Sequence, residues 1–172
     1  VKGQTFHNFH NQRPFLFEKE NHLYLAWERM YFSSENAHIY FAELDNDGKI
    51  MGTMEKVSES NSNQSYPVIF DYQDIVSVVW FDMRRGYEGV YFAQKRGYFW
   101  EETVLSTTGR KSSFGMPFIS GFGDFLTIYW QEKQKNTTRL VELAPDQHVN
   151  PPTIKGKNLV PGKRYNKERV QF

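Results

Sequence analysis

The chain has no cysteine, which excludes a disulfide framework, a thiolate metal site and a cysteine nucleophile. It has no run near the roughly 20 apolar residues that a membrane-crossing helix needs, and no sustained helical apolar stripe. Net charge is also nearly absent, at +1 over 172 residues. That figure hides an asymmetry: residues 155–172 hold six Lys/Arg and one Asp/Glu, leaving 15 and 19 for residues 1–154. A mildly acidic body argues against a broad nucleic-acid footprint, and the short basic tail reads as a linker. Aromatic residues are abundant at 17%, so one packed core is within reach. Val1 is not an initiator methionine, and the expectation is an excerpt of a larger polypeptide or a processed product.

Proline is scarce before residue 145, and its three occurrences share one position. Pro14, Pro67 and Pro117 each precede a tryptophan by 13 residues, at Trp27, Trp80 and Trp130. The repeat spacing is 53 and then 50 residues. A further apolar run follows each Trp: Ile39 to Ala42, Val90 to Ala93 and Leu140 to Leu143. These runs are short, rich in β-branched and aromatic residues, and bounded by polar or Gly-containing connectors, which is the strand signature. In the first unit, strands are expected near Phe15 to Glu18, Leu23 to Glu28, His38 to Leu44 and Lys49 to Lys56, with a turn at Asp45-Asn46-Asp47-Gly48. The run Ile75 to Phe81 is apolar at nearly every position and calls for cover on both faces.

The fold expected is all-β: about three four-stranded antiparallel meanders, stacked as β-propeller blades over 13–58, 59–110 and a shorter 111–144. Residues 1–12 are expected to end a preceding blade or lead in. The segment 145–172, with four of the seven prolines, is expected to be a Pro/Lys-rich linker entering a following β domain. Three blades leave open sheet faces, so the expected partners are other blades of the same polypeptide or another subunit.

The second unit resembles a blade of the sialidase-like propellers, whose Asp-box (BNR) repeat runs Ser-x-Asp-x-Gly-x-x-Trp. Ala93, Lys95, Gly97 and Trp100 occupy its four positions, so the box is degenerate. The resemblance implies a ring of about six blades, an extracytoplasmic location and a family that includes glycan hydrolases as well as noncatalytic binding proteins. It does not carry the sialidase catalytic set across. The family's early Arg-Ile-Pro aligns with Gln12-Arg13-Pro14, which displaces the arginine by one residue and turns it to the other strand face. Ala26-Trp27-Glu28-Arg29 matches the later Ala…Glu-x-Arg stretch only with a spacing mismatch.

No catalytic residue, metal site or cofactor is therefore assigned. The expected function is a noncatalytic binding or scaffolding segment that recognises glycans or acidic ligands through blade-end loops. One alternative is part of an exo-sialidase-like hydrolase whose catalytic residues lie mostly elsewhere; another is a structural subunit that assembles through its open faces. The ligand-binding candidates are Arg29, Asp82, Arg84, Arg85 and Tyr87, since guanidinium forks grip carboxylates and hydroxyls while an aromatic face stacks on a ring. Their bland alternative is a hairpin held by an Asp82 to arginine salt bridge. Glu28 and Asp82 as paired acids, His7 and His10 as metal ligands, and Asp45 to Gly48 as a calcium loop each have a simpler structural reading. Asn63-Gln-Ser and Asn136-Thr-Thr fit a glycosylation pattern that recurs by chance.

Overall fold

A computed structural model describes residues 8–84, 86, 88–107, 112–120, 127–134, 137–144 and 153–159. These residues form twelve strands and no helix. The first sheet comprises β1 (Phe9–Lys19), β2 (His22–Tyr31), β3 (Ala37–Leu44) and β4 (Ile50–Lys56). The second comprises β5 (Gln64–Tyr72), β6 (Ile75–Asp82), β7 (Gly89–Arg96) and β8 (Phe99–Thr107). The third comprises β9 (Ser112–Ser120), β10 (Thr127–Gln134), β11 (Thr137–Ala144) and β12 (Thr153–Leu159). Each is an antiparallel meander with strands in chain order. No described helix is long and apolar enough to cross a membrane.

The proline-to-tryptophan spacing has a backbone cause. In every sheet the first strand carries a bulge opposite the tryptophan of the second. The register skips Arg13-Pro14 across from Trp27, Tyr66-Pro67 across from Trp80, and Met116-Pro117 across from Trp130. Proline has no N–H to give a ladder, so a bulge is where a strand tolerates it. The residue before it swings to positive φ, 48° at Arg13 and 57° at Tyr66. The same offset of 53 residues separates the first hairpin turns, Glu20-Asn21 and Gln73-Asp74, all four at positive φ as a two-residue type I′ turn requires.

Side chains repeat too. Trp27 and Tyr40 are cross-strand partners with ring centroids 6.0 Å apart and planes at 28°; Trp80 and Tyr91 have the same separation and angle. The middle sheet is buried on both faces, in strict alternation. Ile69, Val78, Trp80 and Ala93 pack with Ala26, Ile39 and Phe41 of the first sheet. Val68, Val79, Phe81 and Val90 pack with Ile128 and Trp130 of the third. Thus Trp80 and Trp130 each face the preceding sheet, and neither is exposed. Polar ties reinforce the first junction: Lys19 Nζ reaches Asp71 at 2.9 Å, a hydrogen bond that raises the lysine's pKa against the opposing effect of burial.

Two boundaries differ from the sequence reading. Within the stretch expected to end a preceding blade or lead in, residues 9–12 extend β1 and pair in the first sheet. His10, Asn11 and Gln12 are polar and exposed, while the backbone still pairs with β2 from Phe9 to Gln12. The third sheet likewise has a full fourth strand, β12, within the segment read as linker. An edge strand such as Thr-Ile-Lys-Gly-Lys-Asn-Leu carries little apolar periodicity to reveal it.

Candidate functional site

Asp82 closes β6 and is completely buried. One carboxylate oxygen accepts the Arg84 backbone N–H at 2.8 Å and the Ser62 hydroxyl. The other accepts Arg84 Nη2 at 2.6 Å, Gln64 Nε2 at 3.2 Å and Trp80 Nε1 at 3.4 Å. Arg84 also donates to Glu102 through Nη1 and to Ser58 Oγ at 3.1 Å, and its guanidinium lies 4.0 Å over the Tyr91 ring. Burial disfavours its charge, yet the hydrogen bonds to Asp82 and Glu102 outweigh that and hold its pKa above the ordinary value. A guanidinium already shared by two carboxylates has little left with which to grip a third.

Arg29 stands on β2, not in the loop that follows it, and is 6% exposed. Its Nε donates to Asn11 Oδ1 at 2.8 Å, the same oxygen that takes Trp27 Nε1 at 3.0 Å. Its guanidinium carbon lies 4.2 Å from the Phe9 ring, 5.0 Å from Tyr40 and 5.5 Å from Trp27. Burial and a hydrogen bond to Tyr31 push the Tyr40 hydroxyl up to about 12, while the same bond pulls Tyr31 down. Arg29 and the Asp82–Arg84 pair therefore belong to separate clusters on successive sheets. Arg85 and Tyr87 lie outside the described residues.

Glu28, 1% exposed, is a junction between sheets that the sequence reading missed. One oxygen accepts Arg13 Nη1 at 2.6 Å and Gln12 Nε2 at 2.9 Å, and the other accepts the Tyr66 backbone N–H of the next sheet at 2.8 Å. The Arg13 guanidinium lies 4.5 Å over the Tyr66 ring, so the two bulge residues stack on each other. The only sequence signal was a Glu placed next to a core tryptophan.

A groove of about 560 Å³ runs along the outside of the first junction, between β4 with residues 57–60 on one side and β8 on the other. Arg84 and Glu102 form part of its floor. Its aromatic wall comes from the β7–β8 hairpin, where Arg96 pairs with Phe99 across the two-residue turn Gly97-Tyr98. Gly97 takes φ 62° there, which a side chain would resist, and Tyr98 is left projecting at full exposure. Phe99 beside it is 62% exposed. Trp100 docks the hairpin on the first sheet: its indole N–H donates to Glu55 at 3.2 Å, and its ring meets the edge of Phe41 at 5.0 Å. Lys95 reaches the same Glu55 oxygen at 2.5 Å. Of the four degenerate box positions, Lys95, Gly97 and Trp100 thus build the hairpin and fix it to its neighbour.

Among the described residues no three His, Asp or Glu side chains are grouped to hold a metal. His10 lies edge-on to Phe32 at 4.5 Å, and His7 is outside the described residues. Asp45 Oδ1 accepts the N–H groups of Asp47 and Lys49, an Asx turn closing the β3–β4 hairpin. No protein-family model matches the chain, and no curated protein matches it in sequence.

Proposed function

We propose that the three sheets are consecutive blades of a sialidase-like β-propeller, and that the chain serves that ring as a noncatalytic binding and scaffolding segment. The observation that carries this reading is the bulge-and-tryptophan unit, present in all three sheets, with the second and third tryptophans directed at the sheet before. Because Ala26 packs toward the second sheet, strand alternation sends Trp27 to the opposite face, where a preceding blade would sit. At the other end, Phe118, 47% exposed, stacks on Tyr129 at 5.0 Å on the face turned away from Trp130. These two faces are the assembly surfaces, and an extracytoplasmic location follows from the same resemblance.

Within these residues, binding is favoured over two-carboxylate glycoside cleavage by the state of the acids. Most glycosidases, sialidases with their tyrosine nucleophile excepted, need two carboxyl groups flanking a bond, one of them free to give a proton. Glu28 and Asp82 lie in separate clusters, and every oxygen of both accepts at least one hydrogen bond from the protein. Of the two expected ligand classes, the neutralised Arg84 favours a glycan over an acid.

Sedimentation velocity tests the scaffolding half. The chain is expected to self-associate with rising concentration, and Phe118→Glu to weaken that association. A concentration-independent monomer with a cooperative melt would overturn it.

A further inference from the structure

We infer that the outer groove between β4 and β8 is a binding site for a neutral oligosaccharide chain, with Tyr98 and Phe99 as its stacking platform. The inference rests on the binding half of the reading above and not on ring closure, because the groove is complete within the first two sheets.

Three features select that ligand class. Exposed Tyr98 and Phe99 serve no core, and aromatic surface beside polar groups suits the apolar face of a pyranose ring. Next, the groove's acids are electrically quiet yet still able to accept. Glu55 gives one oxygen to Lys95 and Trp100, and Glu102 gives one to Arg84. Among the described residues the second oxygen of each has no hydrogen-bond donor, which leaves acceptors for sugar hydroxyls. Ser58 and Ser60 line the same groove, with their hydroxyls already bonded to Arg84 and Ser62. Finally, charge argues against the alternatives. Glu55, Glu59 and Glu102 against Lys56, Arg84 and Lys95, which holds Glu55, leave the site with no net charge to attract an anion. A basic peptide would meet carboxylates at Glu55 and Glu102 that Lys95 and Arg84 already neutralise.

The test is calorimetric titration of the whole chain with cellohexaose, chitohexaose and mannohexaose, with hexagalacturonic acid and hexalysine as charged counterparts. At least one neutral hexamer is expected to bind in the micromolar to millimolar range. Tyr98→Ala and Phe99→Ala are each expected to weaken it by about tenfold, as loss of an aromatic contact does. Leu16→Ala, an exposed apolar change on β1, leaves binding unchanged. Both test positions are exposed, so unaltered thermal melts certify the variants. Absence of binding by all three neutral hexamers overturns the inference, as does binding indifferent to both aromatic changes or tighter binding of either charged hexamer. Such a failure in a chain that still self-associates would remove the groove and leave the scaffolding reading standing.

Discussion

The first and second sheets share a backbone and a ring pair but differ in the charge placed beside it. Two residues after the tryptophan, the first sheet has Arg29 and the second has Asp82. Arg29 is held by three aromatic faces and an asparagine, while Asp82 is held by five donors that include a guanidinium. The tryptophan–tyrosine geometry is the same in both. The repeat therefore fixes where a buried polar group sits and leaves its sign open, provided that each sheet supplies the complementary partners. Neither cluster is a free claw for an acidic ligand.

The sharpest way to break this comparison is to remove each charge. Asp82→Ala leaves Arg84 partly unpaired and strips acceptors from Gln64 and Trp80, and is expected to cost about 3–5 kcal/mol. Arg29→Ala removes a desolvated cation over aromatic rings and is expected to cost about 2 kcal/mol. Urea midpoints measure both; a larger loss at Arg29 would show that the aromatic cage, not the carboxylate hub, is the stronger support.

Acid sensitivity separates the sheets next. Arg29 pairs across the ladder with His38, whereas Asp82 pairs with Gly89. Burial, aided by Lys56, lowers the His38 pKa below its ordinary 6.5, against weaker opposing effects from Ser60, Asp82 and Glu59. The unfolded chain then takes the proton first as pH falls, so the His38 contribution is intact above about pH 6.5 and is lost on acidification through the folded value. His38→Gln is expected to flatten the dependence of stability on pH between 6.5 and that lower value. An unchanged slope in urea titrations at stepped pH would place the sensitivity elsewhere.

The smallest effect is one that the sheets should share. Asn21→Gly and Asp74→Gly each relieve a non-glycine residue at positive φ, against glycine's greater loss of freedom on folding, for a net gain of about 0.5 kcal/mol. Matching shifts in thermal midpoint would show the two turns to be equivalent; a gain at only one would show that the offset of 53 residues does not extend to turn energetics.

Much of this architecture was legible because it repeats. The Pro14, Pro67 and Pro117 spacing marked the positions where the structure has bulges, and the apolar second and third strands were found but up to three residues short at an end. What the sequence hid was contact between units. Glu28 looked like a surface acid because its backbone donor lies 38 residues downstream at Tyr66, and no periodicity connects them. Tyr98 and Phe99 read only as parts of a degenerate hairpin, since the opposite wall of their groove comes from β4. Strand β12 escaped notice because an edge strand is defined by its ladder more than by its side chains.

The bulge at Tyr66 also makes the molecule mechanically uneven. A donor that leaves its own ladder there becomes a rivet into Glu28 of the adjoining sheet, and Phe81, standing where Glu28 stands one unit later, offers no such socket. Pulling the first two sheets apart therefore means breaking a charged hydrogen bond as well as separating apolar surface.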